Sequence, residues 1–96
     1  MSEFKGTPGR WFVDEEGDVG CDARYDLVAG VAGCEPSDED WANARLIAAA
    51  PELLEACLRM RNQLYAAGYE AEAGSMHPTK CLLAQVEAAI AKALGQ

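Results

Sequence analysis

Histidine occurs once, as His77, and the four cysteines Cys21, Cys34, Cys57 and Cys81 are separated by 13, 23 and 24 residues, with no C-x-x-C among them. Structural zinc sites draw paired ligands from tight loops, so this spacing argues against a metal centre. No apolar run approaches the ~18 residues of a membrane-spanning helix. The opening residues Met1-Ser2-Glu3-Phe4-Lys5-Gly6 lack the charged and then apolar regions of a secretory signal. A cytoplasmic protein without a disulfide framework is therefore expected. Aromatic residues make up 7% of the chain, so any stacking platform would be small. Bases are scarce at the N-terminal end: residues 1–40 hold only Lys5, Arg10 and Arg24. That scarcity argues against direct binding to nucleic acid or to an anionic membrane.

What is present is acid and alanine. The 96 residues carry a formal net charge of −8. Residues 1–40 hold 11 acids against three bases, whereas residues 41–96 hold five of each. The whole excess therefore lies in the first part of the chain, and it favours a partner with a basic surface. Half of the residues are hydrophobic, but 18 of those 48 are alanine. Alanine promotes helix and fills little core volume, so a homo-oligomer that completes its core by self-association is a further expectation.

No catalytic set emerges, and neither an enzyme nor a cofactor is expected. His77 and Cys81 stand four residues apart near a helix start, but no third residue is placed to orient the pair. Glu15-Glu16-Gly17-Asp18 is too short for a calcium loop, which needs alternating ligands and a closing glutamate. No glycine loop of the phosphate-cradling type occurs.

The coarse reading is α+β. Arg10–Asp14, Val19–Cys21 and residues 26–32 have strand character, joined by turns at Glu15–Asp18 and Asp22–Tyr25. Such short connections imply a small antiparallel meander of two or three strands. Ser37 opens a helix, with Asp40 three residues on to complete a capping box. Asp38, Glu39 and Asp40 occupy the first turn, where the helix dipole favours anions. Pro51 predicts a break, with one helix over about 38–50 and a second over about 51–67 capped by Gly68. Pro78 starts a third, running to about Leu94, with Leu82, Val86, Ala89, Ile90 and Ala93 as its apolar stripe. The expectation is one domain over 1–96, with a β-rich acidic part at 1–35 and a helical part at 37–96. The last two helices would form a hairpin packed on the sheet.

The stretch Ala42-Asn43-Ala44-Arg45-Leu46-Ile47-Ala48-Ala49-Ala50-Pro51-Glu52-Leu53-Leu54-Glu55-Ala56 resembles the "NARLIAAAPELLEAL" signature of small proteins encoded by bacteriophages and prophages. Those proteins often begin with a "TPGPW" segment, matched here by Thr7-Pro8-Gly9-Arg10-Trp11 with Arg10 in place of the second proline. Cys57 stands where the signature has leucine, and Ala89-Ile90-Ala91-Lys92-Ala93-Leu94 is similar to their helical ending. The resemblance implies a phage accessory protein acting in the bacterial host cell, and it carries no catalytic residues with it.

Two residue sets are candidates for binding. Asp14, Glu15, Glu16 and Asp18 would meet the basic surface of a host protein or defence complex, as in an anti-CRISPR or other anti-defence protein that blocks sterically or mimics nucleic-acid charge. Trp41, Arg45, Arg59 and Arg61 would serve an alternative, an oligomeric binder of a small nucleotide signal. A structural or assembly component of the phage is a third reading.

Overall fold

The structure is a computed structural model that describes residues 6–22, 27–30 and 35–96. Three short strands, β1 (Trp11–Val13), β2 (Val19–Cys21) and β3 (Leu27–Ala29), are followed by α1 (Asp38–Ala66) and α2 (Pro78–Ala93). The strands form one antiparallel sheet in the order β1-β2-β3. Trp11 pairs with Cys21 and Val13 with Val19, so the first hairpin is in regular register. The second pairing shifts between Val19 and Gly20, an irregularity of the bulge type, which adds local twist. The α+β class and the three-stranded meander agree with the sequence expectation. Of the expected third-strand span 26–32, Leu27–Ala29 form β3 and Gly30 does not continue it; positions 26, 31 and 32 lie outside the described residues, as do Cys34 and the turn positions 23–25.

The helices differ from expectation. Among the described residues two are present where three were predicted, because α1 runs unbroken through Pro51 for 29 residues. Proline removes one backbone donor and crowds the carbonyl four residues back. Ending the helix there would instead leave several donors and acceptors open on both sides. No Ser, Thr, Asp or Asn stands at Ala48–Ala50 to cap a new helix, and no glycine stands there to close the old one. Alanines before Pro51 and Glu52-Leu53-Leu54 after it are strong helix formers. One missing hydrogen bond is the smaller loss.

The true ends carry the groups that the Pro51 region lacks. At the start of α1, the Asp40 N–H donates to Ser37 Oγ at 3.1 Å and the Ser37 N–H donates to Asp40 Oδ2 at 3.0 Å, a reciprocal capping box. At its end, Gly68 takes a φ of 93° while its N–H donates to the Tyr65 carbonyl and the Tyr69 N–H to the Leu64 carbonyl. That pair of bonds is a Schellman closure. Gly95 (φ 77°) and Gln96 close α2 in the same way, onto the carbonyls of Lys92 and Ala91.

The described residues form two compact units, one within Lys5–Glu52 and one within Leu53–Gln96, and the boundary falls inside α1. In the first, the buried apolar residues are Val19, Cys21 and Ala44. In the second they are Leu58, Leu83 and Ile90. On α2 the buried positions are Leu83 and Ile90, seven apart, whereas Leu82 is 50% exposed. Of the expected stripe Ile90 is buried as anticipated, but Leu83 takes the place of Leu82. Leu83 and Ile90 lie on the same side of the helix at a spacing of two turns.

Candidate interaction surface

The turn between β1 and β2 contains the four acidic candidates, and its geometry separates them into two kinds. Asp14 organises the backbone. Its Oδ1 accepts the N–H of Glu16 at 2.9 Å and of Asp18 at 3.0 Å. Its own N–H donates to the Asp18 carbonyl at 2.9 Å, and its carbonyl accepts the Gly17 N–H at 3.2 Å. Gly17 adopts a φ of 85°, the left-handed residue that ends a three-residue hairpin loop built on a type I turn. Gly17 is also buried. Asp18 is half-buried within the same ring of bonds. Only Glu15 and Glu16 are exposed. The loop thus projects two carboxylates outward, while Asp14 is occupied in holding the loop that presents them.

The alternative set is distributed along α1. Trp41 is half-buried and Arg45 exposed, four residues on along the same side. Arg59 donates to Glu55 Oε1 at 2.7 Å, one turn back. Arg61 donates from Nε and a terminal nitrogen to Asn62 Oδ1 at 3.2 and 3.1 Å, and its guanidinium lies 5.8 Å from the centroid of the Tyr65 ring. Arg59 and Arg61 are therefore engaged by their own helix neighbours. Being two residues apart, they also diverge by about 200° around the axis. Trp11 donates its indole N–H to the Thr7 carbonyl at 3.0 Å and is half-buried, whereas Phe12 is exposed.

The His77–Cys81 juxtaposition resolves into separate contacts. The His77 ring sits 5.6 Å from the Tyr69 ring, tilted by 60°. Cys81 Sγ lies 3.6 Å from the Ala73 carbonyl and 4.0 Å from Gln85 Nε2. Among the described residues, no group of three or more His, Cys, Asp and Glu side chains is placed to hold a metal ion. No described helix is long and apolar enough to cross a membrane.

Two features escaped sequence reasoning. Tyr65 donates its hydroxyl to Glu87 of α2, a hydrogen bond spanning 22 positions for which local spacing offers no signal. That bond, with some burial and the negative charge of Glu87, raises the Tyr65 pKa above its ordinary value of 10.0, with Arg61 opposing. The second feature is a row of exposed large apolar residues on α1, Leu46, Leu53 and Met60. Its signal, a spacing of seven, is legible in the sequence.

A protein-family model described as Salmonella phage P22 protein Y8K6 matches residues 1–96. The chain belongs to this phage protein family. The match supports the phage origin implied by the resemblance across the Ala42–Ala56 stretch. No curated protein and no solved structure matches the chain. For this member of a phage family, the exposed pair Glu15 and Glu16 and the α1 surface are the features on which a functional reading can be built.

Proposed function

We propose that this phage protein is a non-enzymatic accessory factor that binds a host protein through the acidic β1–β2 turn, most concretely as an anti-CRISPR or other anti-defence protein. The observation that carries the reading is the outward projection of Glu15 and Glu16 from a loop whose backbone is fixed by Asp14. The segment behind it contributes to the excess of 11 acids over three bases in residues 1–40. A basic groove that normally holds nucleic acid is a fitting target. Charge steers encounter with such a surface, and a rigid loop loses little conformational entropy on docking. Membership of a phage family supplies the biological setting in which a host-directed binder is useful.

The test is affinity capture of the tagged protein from a defence-competent bacterial lysate, in parallel with Glu15→Lys/Glu16→Lys. The expected result is a stoichiometric host complex retained by the parent and lost by the double variant, with circular dichroism unchanged. Equal capture by both chains would reject the acidic turn as the contact. A protein that instead copurifies with virions would belong to phage assembly.

A further inference from the structure

Along α1, Leu46, Leu53 and Met60 are 65%, 51% and 47% exposed. Each lies two residues beyond Ala44, Pro51 and Leu58 respectively, of which Ala44 and Leu58 are buried. Two residues correspond to about 200° of helix rotation, so the row lies on the side of α1 opposite the buried one. The spacing of seven is that of a coiled-coil seam. Around this row the residues are small. Ala42, Ala49 and Ala56 precede the three large residues by four positions, and Ala50 and Cys57 follow the first two by four. A helix with one large apolar residue per two turns and alanines between them allows a second helix to approach closely, each large side chain entering the gap over a small one.

We infer that this face pairs with the same face of a second copy of the chain, antiparallel, to make a homodimer. Two features select that occupant and orientation. In an antiparallel pair, Leu46 stands across from Cys57 of the second copy, Leu53 across from its Ala50 and Met60 across from its Asn43, so each large residue of the row meets a smaller one. In that register, Asp40 at the start of α1 comes beside Arg61 of the second copy, and the contact occurs twice by symmetry. Between these ends, Ile47 stands beside Leu54 of the second copy. A parallel pair would instead set Leu46 against Leu46, Asp40 against Asp40 and Arg61 against Arg61. Antiparallel pairing also holds the two acidic first turns, Asp38, Glu39 and Asp40, roughly 38 Å apart at 1.5 Å per residue, well beyond the screening length at physiological salt.

Sedimentation equilibrium of the full chain tests the inference. The expected mass is twice the 10.3 kDa chain at micromolar concentrations. Leu53→Glu places a charge at the middle of the seam and should raise the dimer Kd by about tenfold or more, with helicity retained because Leu53 is already exposed. Leu46→Gln should act in the same direction if Leu53→Glu loses helicity. Leu82→Glu, an equally exposed leucine on α2, should leave the mass unchanged. Arg61→Glu should weaken the dimer, and adding Asp40→Arg to it should restore association. A parent chain that sediments as a monomer would overturn the inference. So would a dimer indifferent to Leu53→Glu and Leu46→Gln, and so would a dimer lost through Leu82→Glu alone.

Discussion

Two side chains show how residues of the same type take different work. Asp14 and Glu15 are neighbours in an acidic run, yet Asp14 accepts two backbone N–H groups and Glu15 faces solvent. Aspartate is short enough to reach back to the backbone two to four residues on, as in an Asx turn, whereas glutamate overreaches it. Asp14→Ala should therefore cost about 1–2 kcal/mol, in the range of a lost cap, read as a lowered denaturant midpoint. Glu15→Ala should fall within about 0.5 kcal/mol of the parent, as exposed substitutions usually do. Equal costs would show that the turn does not depend on Asp14. The acidic candidates were legible as a group from the sequence, but the division of labour among them was not, because it depends on which oxygen meets which N–H. Tyr65 illustrates a second kind of residue effect. Its pKa is raised chiefly by donating to Glu87, so the folded state holds this proton more tightly than the unfolded chain. The bond's contribution is complete below the unfolded value near 10 and is lost as pH rises through the higher folded value. Phenolate absorbance should show a tyrosine titrating above the ordinary range, and Tyr65→Phe or Glu87→Gln should abolish that late component. Its survival in Tyr65→Phe would assign it to another tyrosine.

At the level of elements, most of the architecture could be read from the punctuation of the chain. Ser37 and Asp40, Gly68 and Pro78 mark real helix ends, and each acts by the local chemistry that marks it. Pro51 was read by the same rule and misled. A proline is a stop only when neighbouring residues can satisfy the groups that a stop exposes, and the alanines before Pro51 cannot. The extent of α2 was legible, and so was Ile90 on its buried face, but the leucine that joins Ile90 there was not. Leu82 and Leu83 are adjacent, and a stripe drawn through either satisfies helical periodicity. Which leucine is buried depends on packing between distant segments. The Pro51 account predicts that Pro51→Ala, which restores a donor to the Ile47 carbonyl, stabilises α1 by roughly 1–3 kcal/mol. Thermal unfolding should move upward by several degrees, since about 1 kcal/mol corresponds to roughly 4–8 °C in a domain of this size. A lower midpoint would mean that the half-buried proline ring contributes packing that outweighs the missing hydrogen bond.

Across the whole molecule, charge is the most uneven property: a net of −8 with all of the excess in residues 1–40 and none in residues 41–96. Residues 41–96, neutral overall, can meet the same residues of another copy without long-range repulsion, while the acidic part keeps its field for something else. The two proposed surfaces therefore use different forces. The α1 seam relies mainly on apolar burial, which added salt does not weaken, with the two Asp40–Arg61 contacts at its ends as the smaller, screened part. The β1–β2 turn relies on a field that salt screens over about 10 Å at 0.1 M. Raising the ionic strength should thus separate them in a single set of experiments. The association rate with the captured host protein should fall by roughly tenfold or more between low and high salt, as steered encounters do, while the sedimentation mass stays at that of the dimer. Glu15→Lys/Glu16→Lys should lower the low-salt rate and flatten its salt dependence, because it removes two charges from the presenting loop and adds two of opposite sign. If the rate is insensitive to salt, the acidic segment serves solubility alone, and host recognition has to be sought on another face of the molecule.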